Sequence, residues 1–391
     1  MRPSRPLAAR LATAAFLALG AVALAACGSR TGLFGSDTFS GTSPDGGFLP
    51  DGAPIGDAPP DGFVPCMPGT FTFDLATAQL MFVIDRSGSM AFSLNGQQGM
   101  LPPGVMSRWD TLRDALFQTI TPFDNVLAMG AKFFPEPSAG DPMAPADEAC
   151  AVDVGVGIAP ARGNVAQIIN VFDTTTPIGG TPTSEALRLA AQYIAGTRGV
   201  ARTMILATDG APNCNDQLDK STCTCTKATG PCTRPGDESN CLDDQRTIQT
   251  ITDIFKTMNI PVYVIGIGST ERPEFLQVLD NMAIAGGRPR PTTPRHYNVQ
   301  SSAELKGALQ SIGDSIAKCT YLTPSAPTDP NAITVEINGK IIPRDPTHMN
   351  GWDWVDQTFG TLAFFGAACT AASGGTSTMS QVSGVVSCNN P

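Results

Sequence analysis

LMFVIDRSGSM, residues 80–90, begins as an apolar run suited to a strand buried on both faces and ends in Asp85, Ser87 and Ser89 on a glycine-containing turn. Carboxylate and hydroxyl oxygens at alternate positions are donors that hard divalent cations such as Mg²⁺ prefer, with waters or a partner's oxygen filling the remaining positions. The stretch therefore predicts a buried strand that delivers a metal site at its carboxyl end.

Outward from it, strand-like runs at 71–84, 126–134, 151–156, 200–207, 261–267 and 296–299 alternate with amphipathic patterns at 108–120, 164–172, 184–194, 246–258, 271–282 and 301–318. In the first helix pattern Trp109, Leu112, Ala115, Leu116 and Ile120 recur at spacings of three and four. Such alternation predicts an α/β fold: a doubly wound, mostly parallel, Rossmann-like sheet covered on both faces. Ligand sites in these sheets lie beyond the carboxyl ends of the strands. Two further segments are expected there, Gly179-Gly180-Thr181-Pro182-Thr183 before a helix and Thr208-Asp209-Gly210 after a strand.

Asp85-x-Ser87-x-Ser89, the Thr181 loop and the Asp209 loop, in that order, resemble the metal-ion-dependent adhesion site of the von Willebrand factor type A family, with the likeness spanning residues 66–319. The resemblance implies that Ser87 and Ser89 ligate the cation directly, that Thr181 joins them when ligand is bound, and that Asp85 and Asp209 act largely through bridging water. It implies Mg²⁺, with Mn²⁺ or Ca²⁺ as alternatives set by availability. It also implies that the third strand runs antiparallel. The expected function is adhesion or protein binding, in which a carboxylate of a protein or extracellular-matrix partner completes the octahedron. The alternative is a structural scaffold in a cell-envelope complex, with the cation only rigidifying its loops.

Catalysis is not expected. The two histidines, His296 and His348, stand in no metal or triad motif and read as surface residues; Ser87 has no candidate base; and there is neither a Gly-x-Ser-x-Gly elbow nor a phosphate-binding Gly-Lys-Thr/Ser loop. A formal charge of −10 with few basic clusters argues against a nucleic-acid partner, whose phosphates need a Lys/Arg-rich face.

Residues 1–26 read as a signal peptide, with Arg2, Arg5 and Arg10 ahead of an apolar core. It ends in Leu24-Ala25-Ala26-Cys27, which resembles the lipobox of bacterial lipoproteins and implies lipidation at Cys27. Gly28, in place of an aspartate, implies an outer-membrane destination. Residues 27–65, rich in Gly, Pro and Asp, cannot bury enough apolar area to offset ordering entropy and are expected to form a tether.

Ten cysteines remain in a chain read as exported, so disulfides are the default. Cys214, Cys223, Cys225, Cys232 and Cys241 crowd a polar insertion, residues 211–245, whose spacing lacks paired Cys-x-x-Cys units and so does not favour zinc. Five is odd, and Cys150 is the expected outside partner. By resemblance to some von Willebrand type A domains, Cys66 and Cys319 tie the ends of the main domain, which leaves Cys369 and Cys388 as a local pair. Residues 320–391 read as a separate, small β-rich module: Asn338-Gly339 sits inside a hairpin pattern, and Trp352 and Trp354 are expected in its core.

Overall fold

The computed structural model describes residues 64–76, 78–136, 148–196, 200–227, 230–268, 272–374 and 380–388. The signal-peptide, Cys27 and tether readings fall on residues 1–63, outside the described residues.

The chain begins β1 (Val64–Pro65), β2 (Gly69–Thr72), β3 (Asp74–Leu75), β4 (Ala78–Asp85), α1 (Arg108–Ile120), β5 (Ala128–Phe134), β6 (Ile158–Ala161) and α2 (Val165–Thr174). It continues α3 (Thr183–Ala195), β7 (Ala201–Thr208), α4 (Asp244–Met258), β8 (Val262–Ile267), α5 (Pro273–Ala285), β9 (Tyr297–Val299) and α6 (Ser302–Lys318). The last part is β10 (Thr320–Leu322), β11 (Ser325–Ala326), β12 (Ile333–Ile337), β13 (Lys340–Ile342), β14 (Gly351–Asp356), β15 (Thr361–Phe365), α7 (Ala367–Ala372) and β16 (Val382–Val386).

Six strands form the central sheet in the order β6-β5-β4-β7-β8-β9, parallel throughout except for the edge strand β6. The alternation of a strand explains why β4 reads as a solid apolar run. Leu80, Phe82 and Ile84 point into a core with α1, α2 and α6, while Met81 and Val83 point into a second core with α3, α4 and α5. Burying one such side chain stabilises the fold by about 1.5–3 kcal/mol, so β4 is held from both sides. Because β5 and β7 flank β4 while the chain winds outward in both directions, the sheet's switch point falls at the carboxyl ends of β4 and β7.

The third strand is β6 at Ile158–Ala161 and not residues 151–156. The earlier segment is drawn into a loop because the buried Lys132 side chain donates its ammonium protons to the carbonyls of Asp153 and Gly155. A valine-rich run thus becomes a cation wrap, an arrangement that periodicity alone does not register.

Eight of the remaining strands build a second body of two four-stranded sheets, β14-β15-β10-β3 and β13-β12-β16-β2, which share one core, while β1 and β11 pair with each other in parallel. The expected module at 320–391 is therefore incomplete as drawn. Strands β2 and β3 from the other side of the α/β domain close one edge of each sheet, pairing antiparallel with β16 and β10. Residues 71–84 are accordingly not one strand. GTFTFDL, residues 69–75, alternates polar with apolar and suits a sheet with one buried face, whereas AQLMFVID, 78–85, is buried at every position except the half-buried Gln79.

This placement corrects the disulfides. Cys66 joins Cys388, and Cys319 joins Cys369; neither Cys66–Cys319 nor Cys369–Cys388 forms. The antiparallel register of Gly69 with Val386 carries Cys66 to Cys388, and α7 sets Cys369 over the end of α6. The Asn338-Gly339 turn has both residues at positive φ, 51° and 76°, as a two-residue hairpin with matched twist requires. Trp352 and Trp354 are core, their indole N–H groups donating to the carbonyls of Ile342 and Pro330. The histidines are not surface residues: His296 is fully buried against Asp280, which lies 2.6 Å from Nδ1, and the His348 side chain is 11% exposed, stacked on Phe365.

Candidate metal centre

Asp85 is the last residue of β4 and has no exposed surface. Its carboxylate is gripped on both oxygens: the Ser87 N–H donates to Oδ1 at 2.7 Å, and the Thr208 hydroxyl, from the end of neighbouring β7, donates to Oδ2 at 2.6 Å. The turn that follows brings Ser87 Oγ within 3.1 Å of Ser89 Oγ.

The threonine loop is zipped to this turn by backbone bonds, Gly88 N–H to Gly179 O at 3.1 Å and Ile178 N–H to Arg86 O at 2.7 Å. Asp209 follows β7 and is nearly buried. Ser87, Ser89, Thr181 and Asp209 all line one cavity of about 800 Å³, with Asp85 in the buried strand end beneath. The structure thus brings together the oxygen-bearing residues that the sequence singled out.

Burial, followed by the negative charge of Asp209, pushes the Asp85 carboxyl up to about 7, against the pull of its hydrogen bonds from Thr208 and Ser87. Two carboxylates close together in a low-dielectric site favour a bound positive charge. Among the described residues no group of three or more His, Cys, Asp or Glu side chains gathers at one point, so a cation here would lean on hydroxyls as well as carboxylates. That donor set is all hard oxygen and fits Mg²⁺, Mn²⁺ or Ca²⁺. Ser87, Ser89 and Thr181 supply hydroxyls, and Asp85 and Asp209 supply charge.

Two partners were not foreseen from the sequence, and of a third, the expected bridge from Cys150 to the insertion, only the cysteine it reaches was left open. Arg108, at the start of α1, is buried, donating from Nη1 to Asp209 Oδ2 at 2.7 Å and from Nη2 to Gly268 O at 2.8 Å. Its signal was available: Arg108 lies four residues before Leu112, on the buried face of an amphipathic helix, where a charge requires a partner. Asn213 accepts from Thr181 N–H through Oδ1 at 2.7 Å, donates its own N–H to Thr181 O at 3.0 Å, and donates from Nδ2 to Thr226 Oγ1 at 2.9 Å. It therefore couples the threonine loop to the insertion.

The third partner is a disulfide. Cys150 joins Cys214, and a Cβ added at Gly180 would stand 2.6 Å from Cys214 Sγ, so only glycine lets the bridge pack on the threonine loop. Cys223–Cys241 and Cys225–Cys232 close the insertion on itself. Thr226 and the segment from Arg234 to Asn240 then form a wall of the same cavity.

No protein-family model matches this sequence, and no curated protein does. Among solved structures, the PilB minor pilin from Streptococcus sanguinis is 18% identical, covers 62% of each chain and has a TM-score of 0.45. The manganese-loaded TRAP protein from Plasmodium vivax is 17% identical over 62% of this chain and 78% of its own, with a TM-score of 0.37. The vWF domain of the type V pili tip protein Mfa5 from Porphyromonas gingivalis is 12% identical over 62% and 97%, with a TM-score of 0.38. The chain therefore spans less than two thirds of the PilB structure. At these scores the fold stands on the strand order and register given above.

Proposed function

We propose that this chain is a metal-dependent protein-binding or adhesion module of the von Willebrand factor type A kind, exported and lipid-anchored at Cys27 to the cell envelope, on the outer membrane. The observation that supports it most is the convergence of Ser87, Ser89, Thr181 and Asp209, from three sequence-distant loops, on one cavity at the switch point of the sheet. A divalent cation bound there supplies an electrophilic position for a partner's carboxylate. The chain's residues do the rest: Ser87 and Ser89 present neutral hydroxyls, Asp85 is fixed by Thr208, and the wall of the insertion limits what approaches.

The reading is one of binding without catalysis. Ser87 Oγ is engaged by Ser89 Oγ, and neither histidine lines the cavity. Among the described residues no helix is long and apolar enough to cross a membrane.

A scaffold role has two observations in its favour: the β4 and threonine loops interlock through backbone bonds, and Arg108 already neutralises Asp209. Alanine at Ser87 separates the two. Under capture, Ser87→Ala lowers recovery of envelope or extracellular proteins in a Mg²⁺-dependent pull-down at least tenfold, to the level seen with EDTA, while the melting temperature moves by only a few degrees. A variant that retains full, chelator-insensitive recovery and loses mainly thermal stability would establish the scaffold.

A further inference from the structure

Three arginines, Arg108, Arg234 and Arg272, line the cavity above the proposed cation site. Arg108 is matched by Asp209 at 2.7 Å, Arg272 by Glu274 at 2.8 Å and Lys227 by Asp237 at 2.9 Å. Arg234 lines the same cavity, is exposed, and forms no ion pair with any described residue.

Its position is fixed. Asp237 Oδ2 accepts from the backbone N–H groups of Thr233 and Arg234 at 2.9 and 2.8 Å, Gly236 turns the chain at a φ of +87°, and Cys232, just before Thr233, is bridged to Cys225. The backbone that carries Arg234 is therefore ordered before any partner arrives, so the ordering cost when its guanidinium engages an anion falls on the side chain alone.

With Asp85 and Asp209 ionised, a divalent cation and Arg108 together leave the site one unit positive, which a single partner carboxylate balances. Arg234 adds a further positive charge across the same cavity, whose volume of about 800 Å³ leaves room for more than one side chain.

We propose that Arg234 is a second anion contact, so that the segment this site takes is a peptide with two acidic side chains, one directed to the cation and the other to Arg234. The inference rests on the cation reading and narrows its partner from any carboxylate to a doubly acidic segment. Guanidinium fits the role because it pairs with carboxylate in a planar, two-pronged geometry that ammonium does not reproduce.

The test uses the full chain and two readouts. Mn²⁺ uptake is titrated by calorimetry, and binding to the Mn²⁺-loaded protein is measured for end-blocked Gly/Ser peptides with either one glutamate or two glutamates separated by one to five residues. The best two-glutamate peptide is expected to bind about tenfold more tightly than the one-glutamate peptide, the gain of one charge-assisted hydrogen-bonded pair. Arg234→Ala removes that gain, Arg234→Lys keeps part of it, and Mn²⁺ uptake is the same in all three. A wild-type chain that takes up Mn²⁺ but does not distinguish the peptides, or an Arg234→Ala variant that still does, overturns the second contact and leaves the cation site standing. A chain that takes up no Mn²⁺ overturns both.

Discussion

Replacing Asp85 with asparagine is expected to flatten a loss of stability that the cation-free chain shows between about pH 4 and pH 7. Burial and Asp209 raise the Asp85 carboxyl from 3.8 to about 7 in the folded chain. A carboxyl whose folded value is raised binds its proton more tightly folded than unfolded. Its contribution is thus fully present below the unfolded value and is lost as pH rises through the folded one. At about 1.4 kcal/mol per pH unit the loss amounts to at most about 4 kcal/mol. The quantity to compare is the difference between wild-type and Asp85→Asn denaturation curves across that window. Glu185 and Asp345 are held below the usual carboxylate range by hydrogen bonds from Arg188 and from the Asn350 backbone, and they contribute slopes of the opposite sign that cancel in the difference. Saturating Mg²⁺ should remove the slope in the wild type. In the variant it should have little effect, because losing a partner that orients a metal site lowers cation affinity about 10–100-fold. Parallel curves for the two proteins would mean that Asp85 carries no unmet charge.

The second large effect concerns the bond that joins Cys66, near the start of the described fold, to Cys388 near its end. Cys66–Cys388 spans 322 residues, and closing a loop of that length limits the unfolded chain by an amount worth about 6 kcal/mol. It also pins β2 to the module whose edge β2 completes. The double variant Cys66→Ser/Cys388→Ser is expected to unfold with a denaturant midpoint far below that of Cys225→Ser/Cys232→Ser, whose bridge spans 7 residues and is worth about 2 kcal/mol on the same reasoning. Equal midpoints would show that the β-sandwich keeps its two ends together without the bridge.

The α/β architecture was legible because its strands are buried on both faces and its helices on one, so periodicity separates them. Arg108–Ile120 emerges with the bounds its spacing predicts. The gathering of the candidate-site residues was legible for a related reason: Asp85, Ser87 and Ser89 are close in sequence, and the switch point of a doubly wound sheet draws the other two loops to them. What escaped was information held between distant segments. Nothing in residues 69–75 says that their alternation serves sheets completed by β10 and β16 beyond the α/β domain, a placement that also overturns the Cys66–Cys319 and Cys369–Cys388 pairings. Likewise Arg108 reaches Asp209, and Asn213 reaches Thr181 and Thr226, through geometry that exists only after folding.

The central claim is that Ser87, Ser89, Thr181, Asp85 and Asp209 hold one hard divalent cation. It is tested most directly by calorimetric titration of Mn²⁺ into the chelator-treated wild-type chain and into its Ser87→Ala and Asp85→Asn variants. One saturable Mn²⁺ per wild-type chain, weakened at least tenfold in each variant, is the predicted result; no saturable uptake, or uptake indifferent to both substitutions, would contradict it.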